Sequence, residues 1–110
     1  MEIEISAGGK SLGVSVEDPF RIDVVRVTED IGEFAKERGC QLNGLDIEGL
    51  LPLMVKGVYG CEEGCPSDAK RLVTEGYKGF VLEYIEGGIL SARSTEEGSG
   101  GLTIKIFPEF

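Results

Sequence analysis

Hydrophobic and polar residues alternate from the start of the chain. Ile3 and Ile5 alternate with Glu2, Glu4 and Ser6, the period-two pattern of a half-buried strand. Gly8-Gly9 is a turn signal. Leu12, Val14 and Val16 alternate after it, so residues 2–16 are predicted to form a hairpin. Asp18-Pro19 punctuates the chain, and the β-branched run from Phe20 to Val27 predicts a third strand.

The period then changes. Ile31, Phe34 and Ala35 fall at the i, i+3, i+4 spacing of one helical face. Thr28 or Asp30 is the expected cap, and Asp30 with Glu33 fits a capping box. Glu29 and Asp30 complement the positive start of this helix, Lys36 and Arg38 its negative end, and Gly39 supplies a stop. A second helical stripe runs through Ile47, Leu50, Leu51, Met54, Val55 and Val58. Pro52 lies inside it, which predicts a break or kink, or a new helix opened by the proline. The stripe is almost wholly apolar and reads as core rather than as a groove for a partner. A third helix is expected from Pro66 or Ser67, with Ala69, Leu72 and Val73 on its apolar face and Gly76 at its end.

Alternation returns at Phe80, Leu82 and Tyr84. A two-residue Gly87-Gly88 loop and a strand from Ile89 to Thr95 follow. A polar, glycine-rich loop spans residues 96–101, and Leu102, Ile104 and Ile106 mark a last strand that Pro108 stops. The predicted order is βββ-α-α-α-βββ. This is a single α+β domain over residues 1–110, with a mostly antiparallel sheet built from hairpins and helices on one face.

Composition narrows the function. The 110 residues are 41% hydrophobic and 28% charged, enough for one core without disulfide staples. No apolar run approaches the ~18 residues of a membrane span, and the acidic, alternating start does not resemble a signal peptide. The net charge of −9 argues against nucleic acid or an anionic membrane as partner. There is no histidine, which removes Ser-His-Asp and Cys-His catalysis and every histidine-containing metal site. Acid–base chemistry by Asp, Glu, Lys or Tyr stays open, although no spacing singles out a pair.

Three cysteines, Cys40, Cys61 and Cys65, with no export signal predict a cytoplasmic protein with reduced thiols. Cys61 and Cys65 sit in the frame Gly60-Cys61-Glu62-Glu63-Gly64-Cys65-Pro66, immediately before the third predicted helix. Free N–H groups at a helix start favour a thiolate, while Glu62, Glu63 and Asp68 oppose one. Three readings follow. The pair is a redox dithiol; or it binds zinc or iron through thiolates, with Cys40 as third ligand; or it packs a tight turn. The fragment Cys61 to Ala69 resembles the tail of the bacterial ferredoxin cluster run. The two upstream cysteine positions of that run are Val58 and Val55 here, so half the ligand set is missing and an intact cluster in one subunit is excluded.

Two weaker signals complete the sequence. Gly8-Gly9-Lys10-Ser11 has phosphate-loop residue types, but its spacing is incomplete and a strand pattern follows it. Glu83 and Glu86 fall on opposite faces of their strand and read as solvated charges that discourage edge pairing. The functional expectation is therefore a small acidic thiol-redox or metal-binding accessory module built on Cys61-x-x-x-Cys65-Pro66. The alternative is a non-catalytic protein-interaction or homodimeric domain in which an exposed sheet edge mediates association.

Overall fold

The computed structural model describes residues 1–42, 44–60 and 69–109. Its elements are β1 (Glu2–Ala7), β2 (Lys10–Ser15), a 3-10 turn (Pro19–Arg21), α1 (Val24–Glu37), α2 (Ile47–Tyr59), α3 (Ala69–Glu75), β3 (Phe80–Ile85), β4 (Ile89–Ser94) and β5 (Thr103–Phe107). The five strands form one antiparallel sheet in the order β2-β1-β5-β4-β3. The α+β class, the hairpins and the helices between the N- and C-terminal strands are as the sequence predicts.

The register explains the core. Ile3 and Ile5 on β1 stand opposite Ile106 and Ile104 on β5, which in turn stand opposite Leu90 and Ala92 on β4. All six are completely buried. Side chains alternate between the faces of a strand, so one face of the sheet becomes apolar across its width. Val27, Ile31 and Phe34 of α1 and Leu50, Leu51 and Met54 of α2 pack onto that face in a single cluster. The opposite face carries Glu2, Glu4, Glu83, Arg93 and Lys105.

Phe20–Val27 is not a strand. Asp18 accepts a hydrogen bond from the Phe20 N–H at 3.0 Å and closes the 3-10 turn. Asp23 accepts one from the Arg26 N–H at 3.1 Å and caps α1. Intrinsic strand preference is a weak prior. Val27 joins Ile31 and Phe34 on the buried stripe, and that spacing together with the Asp23 cap overrides the β-branched run. Val25 is left 55% exposed. The cap is thus Asp23, more than a turn ahead of Thr28 and about two turns ahead of Asp30. The far end of α1 is as expected. Gly39 has φ 70°, its N–H bonds to Lys36 O at 3.1 Å, and the Cys40 N–H bonds to Ala35 O at 2.9 Å, a Schellman closure.

Pro52 does not break α2, which runs uninterrupted from Ile47 to Tyr59. The missing N–H would have bonded to the carbonyl of Glu48, and both residues are exposed, so water can take that carbonyl. Burial of Leu50, Leu51 and Met54, at roughly 1.5–3 kcal/mol each, outweighs a helix-interior proline penalty of about 3 kcal/mol. The β3–β4 loop is also one residue longer than the sequence suggests. Ile85 pairs with Ile89, leaving Glu86, Gly87 and Gly88 as the connection.

Replacing Pro52 with alanine is expected to stabilise the fold by about 1–3 kcal/mol, read as a higher urea midpoint at unchanged slope. A lower midpoint would mean that the pocket wall Pro52 forms with Phe20 and Val55 contributes more than the restored hydrogen bond.

Candidate interaction site at the sheet edge

Of the three predicted thiol residues, the structure describes Cys40. Cys61, Cys65 and Pro66 lie outside the described residues. Cys40 is half-buried just past the end of α1. Its sulfur approaches the Arg38 carbonyl at 3.8 Å and fills the space beside Gly8 and Gly100. A methyl group on Gly100 would collide with that sulfur, so the two glycines shape a seat for a small side chain. Among the described residues, no three Cys, Asp or Glu side chains gather as metal ligands. Gly8-Gly9, with φ 57° and 79°, is the two-residue turn joining β1 to β2, and a strand follows it rather than a helix.

A second cluster escaped the sequence reading. Asp46 caps α2, accepting the Gly49 N–H at 2.9 Å and the Tyr77 hydroxyl at 2.7 Å. The Lys78 ammonium stands 4.0 Å from the same carboxylate. Gly49 is required here, because a methyl group at that position would strike both the carboxylate and the phenol. The hydrogen bond from Tyr77, then the one from Gly49, holds the Asp46 carboxyl below its ordinary range. The same Tyr77 bond raises the phenol above its ordinary value. Asp46 and Tyr77 are 31 residues apart, and no local pattern joins them.

Tyr77 has a further task. Its N–H bonds to Phe80 O at 3.1 Å, and its carbonyl accepts the Phe80 N–H at 2.6 Å. On the other side, Gly79 O accepts the Thr95 N–H at 2.8 Å, continuing the β4 ladder. These bonds fix the phase of β3. Backbone groups alternate sides along an antiparallel strand. Those of Val81, Glu83 and Ile85 therefore point to β4, and those of Phe80, Leu82 and Tyr84 point to the edge. Tyr77 already occupies Phe80. Among the described residues, Leu82 and Tyr84 are left with outward N–H and C=O groups on a strand that ends the sheet.

The side chains of this edge are unusually apolar. Val81 is 50% exposed, Tyr84 43% and Ile85 37%. They make up half of the exposed large hydrophobic residues among those described. Glu83 stands between Val81 and Ile85 on the uncovered face. The other edge strand, β2, exposes Lys10, Ser11 and Ser15 and has no exposed large apolar side chain. Natural sheets guard their edges with charge, proline or bulges. β3 has one carboxylate.

No family model matches the chain, and no curated protein or solved structure matches it either, so function is read from its own residues.

The Asp46–Tyr77 bond makes a pH-dependent contribution. A lowered Asp pKa stabilises the fold above the ordinary carboxylate value and the effect fades as pH falls through it. A raised Tyr pKa stabilises below the ordinary phenol value and fades as pH rises through it. Tyr77→Phe is therefore expected to lower the urea midpoint most between about pH 4 and about pH 10. The gap to wild type should narrow on either side of that window. A pH-independent gap would show that Tyr77 acts by packing alone.

Proposed function

We propose that this protein is a non-catalytic interaction domain that associates with a second copy of itself through the β3 edge. One observation carries the reading. An edge strand offers the backbone groups of Leu82 and Tyr84, unpaired among the described residues, beside exposed Val81 and Ile85. Strand addition uses this combination: main-chain hydrogen bonds supply affinity, and alternate side chains supply specificity. The uncovered sheet face supports it further, because a paired edge would extend that face without displacing a helix. The acidity of the chain opposes association by general repulsion, so added salt is expected to favour it.

Residue-resolved hydrogen exchange tests the reading. In dilute protein the Leu82 and Tyr84 amides are expected to exchange much faster than those of Val81, Glu83 and Ile85. Between about 20 μM and about 1 mM, exchange at Leu82 and Tyr84 is expected to slow at least roughly threefold. The paired substitution Val81→Lys, Ile85→Lys is expected to abolish the slowing. Unchanged exchange across that range would refute self-association through β3.

A further inference from the structure

We infer that the groove between β2 and α1 is a docking site for an extended basic segment of another protein, which adds to the β2 edge and sets lysine or arginine side chains against Asp30 and Glu33. This site lies at the opposite edge from β3 and does not rest on the self-association reading.

The strand comes first. The Val16 N–H bonds to Met1 O at 2.8 Å, and the Met1 ammonium donates to Val16 O at 3.0 Å. Backbone groups alternate sides along an antiparallel strand, so those of Val14 and Leu12 also point to β1. Those of Ser11, Gly13 and Ser15 point away from it, and β2 ends the sheet. Among the described residues these outward groups have no backbone partner. Gly13 sits in the middle of the row. Its φ is not positive, and a methyl group there would meet nothing within 4 Å. Neither backbone conformation nor packing within the fold calls for glycine at this position. Glycine inside a strand marks a place where another backbone can approach closely.

The groove supplies the selectivity. It encloses about 450 Å³ beside Leu12 and Val14 of the strand and Asp30, Glu33, Phe34 and Glu37 of α1. Its floor is apolar, and every charged residue that lines it is acidic. Asp30, Glu33 and Glu37 recur at i, i+3 and i+7, so α1 presents them on one side. Glu37 pairs with Arg38 at 3.2 Å, and the Arg38 guanidinium lies over the Phe34 ring at 4.1 Å. The chain's own cation thus shows how this wall holds a basic group, with a ring beneath it and a carboxylate beside it. Asp30 and Glu33 have no ion-pair partner among the described residues. Past Ser15 a second hollow continues the groove, but Arg21 and Arg26 join the acids there. The wholly acidic stretch is therefore the one beside Leu12 and Val14.

Geometry and charge together name the occupant. In a strand added to β2, side chains on the face of Leu12 and Val14 point into the groove. They recur at every second residue, about 6.8 Å apart. Asp30 and Glu33 are separated by about 4.5 Å of helix rise, a difference that long side chains absorb. Lysine or arginine at alternate positions lays its methylene stem on Leu12, Val14 and Phe34 and its charged head against the carboxylates. The net charge of −9 steers such a segment in and repels an acidic strand or a nucleic acid.

An NMR titration with two blocked peptides of about nine residues tests the site. One alternates lysine with threonine, the other glutamate with threonine. The lysine peptide is expected to bind at least about tenfold more tightly. It should slow exchange of the Ser11, Gly13 and Ser15 amides at least roughly threefold and leave those of Leu82 and Tyr84 unchanged. Two variants separate strand addition from general attraction. Gly13→Pro removes an outward N–H and spares the β1 ladder, since an edge strand tolerates proline where the N–H faces solvent. Asp30→Lys combined with Glu33→Lys reverses two charges outside the core. Each variant is expected to weaken binding of the lysine peptide at least about tenfold. Binding that survives the charge reversal, or survives the proline in a folded variant, overturns the proposal. If Gly13→Pro does not fold, the wild-type exchange pattern decides: slowing at Leu82 and Tyr84 rather than along β2 overturns it. No binding of the lysine peptide at about 1 mM overturns it as well.

Discussion

Everything in this fold depends on the insertion of β5 between β1 and β4. The strand comes from the end of the described chain and pairs with one from its beginning. Each neighbour belongs to a hairpin that, as an isolated two-stranded unit, would be marginal in water. The insertion must close a loop of about 100 residues. That cost grows only logarithmically, by about 0.6 kcal/mol per doubling of length. Against it stand Leu102, Ile104 and Ile106, all fully buried. At roughly 1.5–3 kcal/mol for each such side chain, the central strand joins two weak hairpins into one cooperative sheet. The apolar face so assembled is wide enough to seat α1 and α2.

The same insertion decides what the molecule presents outward. With β5 in the middle, β2 and β3 become the edges. Helices occupy one face, and the other is mostly polar, with Phe107 of β5, Ile89 of β4 and the flank of β3 as its apolar members. Tyr77 connects this topology to local detail. It donates to the carboxylate that caps α2, and it holds both backbone groups of Phe80. The start of a core helix and the phase of an edge strand are therefore fixed by one residue. Gly49 makes the arrangement possible by leaving room for the phenol.

Much of this was legible in the sequence, and the rest was not for identifiable reasons. Period-two alternation located the strands, because one-sided burial imposes that period on an antiparallel sheet. The glycines after Ala7 and Arg38 located a turn and a helix end, because positive φ strongly favours glycine. Val24, Val25 and Val27 misled, since their strand preference is local while the Asp23 cap and the buried stripe prevailed. Pro52 misled because its penalty was judged without the burial that offsets it. The sequence singled out cysteine spacing as the candidate site; Cys40 occupies a glycine-lined seat, and Cys61 and Cys65 fall outside the described residues. It did not single out the β3 edge. Strand order is a long-range property, and no local pattern says that the last strand goes to the middle. The sequence reads Glu83 and Glu86 as charges on opposite faces of one strand; the structure keeps Glu83 on β3 and puts Glu86 in the β3–β4 connection.

The two edges of one sheet solve the same physical problem differently. β2 is guarded along its length by Lys10 and serines, with Asp30, Glu33 and Glu37 of α1 lining the adjoining groove. Removing any one of these charges leaves the others. β3 concentrates its protection in Glu83, flanked by two aliphatic side chains that would favour a strand pair. A distributed acidic guard selects a partner strand by charge. A single guard makes the edge depend on one carboxylate, because a counter-charge or a substitution there changes its balance. The two edges of this sheet thus differ in how their charge is arranged, spread along β2 and its neighbouring helix but held in one carboxylate on β3.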